Sequence, residues 1–207
     1  MRSLAPEEPF GLLIWEYVAY LTDDADRAQA FALLEKRAGK SPEELAAASP
    51  AVLQAVCRAG GSIAWKTRAD RIHDVAVRVR DRFAGSLDSV LRLPYLEARR
   101  VLKTFPSIGP PGADKILLLT GAQKVLALDS NALRVLLRLG YGQEHKSYSA
   151  SYASAQQAAM AELPRSLPAL RKASVLLRRH GQELCRRADP HCVLCPLRNV
   201  CNFAKVK

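Results

Sequence analysis

The chain contains five cysteines, and four of them fall in one stretch, Cys185-x6-Cys192-x2-Cys195-x5-Cys201. Four thiolates so close in sequence can close a single tetrahedral cage, which suits zinc or an iron–sulfur cluster. The spacing argues for the cluster. Structural zinc sites usually pair two short knuckles of roughly two to four intervening residues, and only Cys192 and Cys195 make one here. The wide first loop leaves room around a bulkier inorganic core. An odd cysteine count with gathered thiols fits a reducing compartment better than a disulfide framework. Cys57 lies in the apolar helical stretch 52–58 and reads as a core residue.

The 207 residues carry a formal net charge of +11, with a pI near 9.7. Such an excess points to a polyanionic partner, nucleic acid first and an anionic membrane second. The charge is concentrated around the cysteines. Residues 171–207 hold Arg171, Lys172, Arg178, Arg179, Arg186, Arg187, Arg198, Lys205 and Lys207 against Glu183 and Asp189. The N-terminus lacks a basic region followed by an apolar run and a small-residue cleavage site. The apolar run 10–21 contains Glu16 and is too short to span a bilayer. A cytoplasmic protein with no membrane partner is therefore expected.

The elements that must position these groups read as helices throughout. Ser41-Pro42-Glu43-Glu44 is a capping box with proline at the first helical position. Ser49-Pro50 starts a second helix over 51–58, and Gly60-Gly61 stops it. Ile72, Val75, Ala76, Val79 and Phe83 recur at helical spacing until Gly85. No strand-like alternation of useful length is present. The expected fold is all-α, with two helical lobes over residues 1–122 and 123–207 packed around a shared cleft without a flexible linker.

Two further stretches carry candidate chemistry. The first is Phe105-Pro106-Ser107-Ile108-Gly109-Pro110-Pro111-Gly112-Ala113-Asp114-Lys115-Ile116, between helical segments at 96–104 and 115–119. Its glycines allow positive φ and close backbone approach. Its proline suits a helix start. The amides left at that start present the positive end of the helix dipole, where a phosphate can bind. The second is Leu126-Ala127-Leu128-Asp129-Ser130-Asn131-Ala132-Leu133-Arg134-Val135. Its carboxylate follows an apolar run and opens a helix, as an N-cap does.

The order hairpin, Asp129, four-cysteine loop resembles the helix-hairpin-helix DNA glycosylase superfamily, in particular its endonuclease III-like branch with a C-terminal iron–sulfur cluster loop. The residues carrying the likeness are Ile108-x5-Asp114 through Arg134, and Leu177-x2-His180-Gly181-x3-Cys185 leading into the cysteines. The run from Phe10 is similar in character to the family's early helix. The resemblance implies a helical barrel lobe containing the hairpin (about 96–119) and a C-terminal lobe holding a 4Fe-4S cluster on Cys185, Cys192, Cys195 and Cys201. It implies double-stranded DNA bent across the cleft, with a damaged or mispaired base flipped out, because the glycosidic bond is buried in the stack. Asp129 matches the family's catalytic carboxylate, which stabilises an oxocarbenium-like sugar and orients or deprotonates water. Ile108, Gly109, Pro110 and Gly112 would meet the DNA at the hairpin. Arg186 and Arg187, between the first two cysteines, would meet phosphates, contacts that position without reading sequence.

Two departures from the family shape the expectation. Bifunctional members carry a Schiff-base lysine just after the hairpin's second glycine. Pro111 stands there, and Lys115 lies about one helical turn further on. A monofunctional glycosylase is therefore expected; the chain is also expected to be a monomer. The alternatives are a bifunctional glycosylase/AP lyase using Lys115, and a non-catalytic binder of lesions or junctions with a structural cluster. The family's early helix also leads into a glutamine that fills the gap left by the flipped base. Leu21 falls about there, an apolar wedge that cannot read the orphan base. Ile63, in Ser62-Ile63-Ala64-Trp65, is a second candidate wedge. Glu16 and Tyr20, four residues apart, would share one helical face.

Overall fold

A computed structural model describes residues 4–205. Every regular element among them is helical. In chain order these are α1 (Pro9–Val18), α2 (Asp24–Ala38), α3 (Pro42–Ala47), α4 (Pro50–Ala59), α5 (Trp65–Arg82), α6 (Asp88–Leu91), α7 (Tyr95–Leu102), α8 (Pro110–Leu119), α9 (Ser130–Leu139), α10 (Tyr148–Glu162), α11 (Leu167–Glu183) and α12 (Asn202–Lys205). Two short 3-10 turns, Cys192–Leu194 and Arg198–Val200, precede α12. The chain divides into two compact units, Met1–Ile108 and Gly109–Lys207. The division falls inside the hairpin turn, earlier than the 122/123 boundary read from the sequence. No described helix is long and apolar enough to cross a membrane.

The first unit is built on α1. Its sequence is apolar around most of the circumference, and Phe10, Leu12, Leu13, Ile14, Trp15, Tyr17 and Val18 are all buried. A helix with so little polar surface belongs inside a core. Helices α2, α4 and α5 pack on it. The start signals act as the sequence suggests. Ser41 Oγ accepts the Glu44 amide at 3.2 Å, and the Glu44 carboxylate accepts the amides of Lys40 and Ser41 at 2.9 Å. Those amides hold the Glu44 carboxyl below its ordinary range. Ser49 likewise caps α4 by accepting the Val52 amide.

Arg68 of α5 closes this unit. It is only 4% exposed. Its Nε donates to the Ile63 carbonyl at 3.1 Å, and its Nη1 donates to Val18 at 2.8 Å and Tyr17 at 3.3 Å. Its Nη2 donates to the carbonyls of Cys57, at 2.6 Å, and Gly61. These carbonyls come from the C-terminal ends of α1 and α4 and the loop after α4, where helices leave acceptors unpaired and favour positive charge. The two chain segments also touch directly. The Tyr20 amide donates to the Gly60 carbonyl at 3.2 Å. A Cβ on Gly60 would sit 2.2 Å from the Val18 carbonyl oxygen, so no side chain fits there.

In the second unit, the stretch before Asp129 is buried without being helical. Val125, Leu126, Ala127 and Leu128 are buried, yet their backbone has no helix ladder to satisfy it. Buried backbone groups need partners, and side chains supply them. Gln156 Nε2 donates to the Leu126 carbonyl at 2.6 Å, and Ser174 Oγ donates to that of Ala127 at 2.8 Å. The Leu128 amide donates to Tyr152 Oη at 3.4 Å. Tyr152 and Gln156 in turn each donate to Asp114 Oδ2 at 2.9 Å. Asp114 of α8 is fully buried, so α8, α10 and α11 clamp one irregular segment. Nearby, α11 presses closely on α9. A Cβ on Gly181 would lie 2.7 Å from the Asn131 carbonyl oxygen.

The Arg68 clasp has a measurable consequence. Arg68→Met keeps the packing stem but leaves several buried carbonyls unpaired, at about 1–3 kcal/mol each when unsatisfied. Urea unfolding followed by circular dichroism should show a loss of about 3–5 kcal/mol. Arg68→Lys should recover only part of it, because an ammonium lacks the guanidinium fork. A loss below about 1 kcal/mol would remove Arg68 from this role.

Candidate active site and cysteine centre

Asp129 is the N-cap of α9, with the extended backbone that a cap residue adopts (φ −82°, ψ 179°). Its Oδ1 accepts the Ala132 amide at 2.8 Å. Its Oδ2 lies 3.2 Å from Arg178 Nε and 3.5 Å from Asn131 Nδ2. The two charged side chains are 38% and 32% exposed, respectively. One carboxylate oxygen therefore does structural duty, while the other faces a cation at the surface. Tyr148, half-exposed at the start of α10, is held above the ordinary phenol range, by partial desolvation first and by the Asp129 charge second. It stays protonated at neutral pH and can donate a hydrogen bond. Sequence reading counted Arg178 only as charge. Its signal was its place one turn before Gly181, the residue that lets α11 approach α9.

The hairpin departs from its expected backbone in an instructive way. The left-handed residue is Ser107 (φ 60°), not a glycine. Gly109 is extended (φ −89°, ψ −172°) because it caps α8, and Gly112 lies within the first turn of that helix. Pro110 and Pro111 occupy the first two helical positions, and neither has an N–H. The Ala113 amide donates to the Gly109 carbonyl at 3.1 Å. The amides of Gly109 and Gly112 are thus the ones left to face an anion. A Cβ on Gly109 would meet only Pro111 Cδ, at an ordinary 3.6 Å, so nothing within the chain demands glycine there. Ile108 is 4% exposed, which buries its side chain and leaves its backbone as the part able to meet a partner. Lys115 sits one turn beyond Pro111 on α8.

The two wedge candidates are exposed and joined at their bases. Leu21 is 76% exposed and Ile63 49% exposed. Leu21 (φ 52°) and Ala64, which follows Ile63 (φ 49°), are both left-handed without being glycine. Such residues cost about 1–2 kcal/mol each and gather at functional sites. The Arg68 clasp and the Tyr20–Gly60 hydrogen bond hold the two loops together. Helix α1 stops at Val18, so Tyr20 lies beyond it, and Glu16 and Tyr20 do not share a helical face.

Cys185, Cys192, Cys195 and Cys201 line one cavity with Val135, Leu139, Leu184 and Phe203. All four thiols are free. Among the described residues, no group of three or more His, Cys, Asp or Glu side chains is set to hold a metal ion. Arg138 organises the cavity wall. Its Nη1 lies 3.4 Å from Cys185 Sγ and 2.7 Å from the Arg186 carbonyl, and its Nη2 donates to Arg187 at 3.2 Å. The Cys201 thiol donates to the Arg138 carbonyl at 3.4 Å. Arg134, one turn earlier, donates to the carbonyls of Cys185 and Gly181 at 2.8 Å. His180 Nε2 lies 3.5 Å from Cys195 Sγ, and burial pulls its imidazole below the ordinary range.

The basic residues divide by role. Arg171 donates to the carbonyls of Leu118 and Leu119 at the end of α8, and Arg179 pairs with Glu183 at 2.7 Å. Lys172, Arg186, Arg187, Arg198 and Lys205 are exposed. Lys207 lies outside the described residues.

No protein-family model matches the chain. Over 98% of its length it is 24% identical to endonuclease III of Thermotoga maritima, spanning 86% of that protein. Over 95% of its length it is 29% identical to adenine DNA glycosylase of Mycobacterium tuberculosis, spanning 61% of it. Among solved structures, a trapped endonuclease III–DNA covalent intermediate superposes with a TM-score of 0.79 and 21% identity, over 100% of this chain and 89% of that one. At that identity the superposition speaks for the fold. Sequence and fold point the same way: the chain has the endonuclease III fold and is similar in sequence to endonuclease III and adenine DNA glycosylase over nearly its whole length.

Proposed function

We propose that the chain is a monofunctional base-excision DNA glycosylase that hydrolyses the N-glycosidic bond of a damaged or mispaired base in duplex DNA. The observation that carries the reading is the setting of Asp129. A carboxylate is fixed at a helix start through Oδ1, while Oδ2 meets the Arg178 guanidinium in a side chain that is 38% exposed. Extruding the nucleotide exposes the bond. As the base departs, positive charge grows on the sugar, and Oδ2 can stabilise it and orient the water that attacks the anomeric carbon. A lyase would need an amine to form a Schiff base. The nitrogen of Pro111 is a tertiary amide, so water is the nucleophile and an abasic site is the product.

Other features support the same reading. Leu21 and Ile63 are apolar tips suited to entering a base step. Exposed Arg186 and Arg187 suit phosphate contacts. In this reading Cys185, Cys192, Cys195 and Cys201 hold a 4Fe-4S cluster. A zinc ion needs every sulfur at about 2.3 Å from one point. Four free thiols around one shared cavity, with a six-residue loop between the first two, favour the polynuclear core. When bound, the cluster would cross-link the loop that carries the two arginines. The enzyme would work inside the cell as a monomer. The contact of Arg178 with Asp129 Oδ2, together with Pro111 and Leu21, favours one second reading, a non-catalytic lesion binder.

Three outcomes test this. Wild-type protein, incubated with duplexes each bearing one lesion or mismatch, should give strand breaks only after alkali and no borohydride-trapped adduct. Asp129→Asn should slow base release about 100- to 10,000-fold without weakening DNA binding. Breaks without alkali would restore the lyase, and binding without release on any substrate would favour the binder. The purified protein should be brown, with broad absorbance near ~400 nm that Cys195→Ser abolishes. A colourless protein with stoichiometric zinc would refute the cluster. Leu21→Gly should raise folding stability by about 1 kcal/mol by relieving the left-handed backbone, yet weaken lesion-duplex binding. Unchanged binding would exclude Leu21 as a wedge.

A further inference from the structure

Asp129 Oδ2, the oxygen that the chemistry requires, is the atom that Arg178 contacts. One oxygen must accept the Ala132 amide to cap α9, so the other is the one open to a partner, and Arg178 holds it. A guanidinium at 3.2 Å largely cancels the field of the carboxylate at a sugar that is becoming cationic. The contact therefore opposes the proposed reaction for as long as it lasts. Arg178 is one-third exposed on a long, flexible stem, and its planar fork matches a phosphate as well as a carboxylate. The anion that arrives with the substrate is the DNA backbone.

We propose that Arg178 is a DNA-operated latch. In the free protein it holds Asp129 Oδ2. When DNA binds, a backbone phosphate near the extruded nucleotide takes the guanidinium and frees Oδ2 to face the sugar. No bond is made or broken in this exchange, in which one ion pair replaces another. Asp129 is then shielded away from a substrate and exposed only beside one. Arg178 acts through Asp129 and is a positioning residue. The inference rests on the proposed role of Asp129.

The test is a double-mutant cycle read by binding, so it does not depend on turnover. The probe is a duplex with a central tetrahydrofuran abasic-site analogue, which has no base to release. Asp129→Asn removes the anion that competes for Arg178 while keeping a residue that caps helices well. It should bind the probe roughly fivefold tighter than wild type, and this gain should vanish in an Arg178→Met background. Arg178→Met alone should lower the slope of log affinity against log salt by about 0.9, one phosphate contact, and Arg178→Lys should keep it. An equal gain in both backgrounds would mean simple charge repulsion and would overturn the latch, as would an unchanged salt slope. Failure of wild type to bind the probe at all would sink the glycosylase reading, and the latch with it. Binding without Arg178-dependent coupling would sink the latch alone.

Discussion

The closeness of α11 to α9 governs the second unit. Gly181 has no side chain, and a methyl group there would overlap the backbone of Asn131. The approach brings one turn of α11 against the start of α9, so Arg178 reaches Asp129. It also brings the end of α11 within range of Arg134 and Arg138, which bind the carbonyls of Gly181, Cys185, Arg186 and Arg187. The first cysteine and the loop beyond it are thereby fixed to the helix that Asp129 caps. The carboxylate and the first cysteine are thus both held by the packing of α11 on α9.

Arginine here is as much a structural reagent as a source of charge. Arg68, Arg134, Arg138 and Arg171 all spend their donors on backbone carbonyls at helix ends or in loops. The guanidinium suits this work because its donors lie in one rigid plane and it stays charged when buried. A net charge of +11 therefore overstates the positive surface open to a polyanion. The loop after Cys185 illustrates the division. Arg138 holds the carbonyls of Arg186 and Arg187, and those two side chains are left exposed.

What the sequence made legible was local. The capping box at Ser41, the cap at Asp129 and the cysteine spacing each depend on residues a few positions apart, and each signal is written in residue type. What it hid was distant. Arg178 meets a carboxylate far upstream, Arg68 reaches back 50 residues to Val18, and Asp114 is satisfied from 38 and 42 residues downstream. No spacing rule links such pairs, because only the packing of helices brings them together. The hairpin misled for another reason. Two glycines suggested the left-handed turn, but the cap geometry of α8 requires Gly109 to be extended, and Ser107 takes the turn instead. The change of unit inside that turn leaves no mark in composition, because Gly109 and the prolines that follow already have a local reason to be there.

The loops at Leu21 and Ile63 carry a kinetic implication. Their bases are held by a buried guanidinium and a backbone hydrogen bond, so their order is set when the chain folds. In the proposed role, contact with DNA would then require little further loss of conformational entropy from the protein. In the proposed role, the slow variable in searching a genome becomes the readiness of each base pair to open. Weakly stacked or poorly paired positions would yield to a rigid apolar tip sooner than sound ones. Damage would then be sorted first by the mechanics of the duplex, before any pocket reads the base.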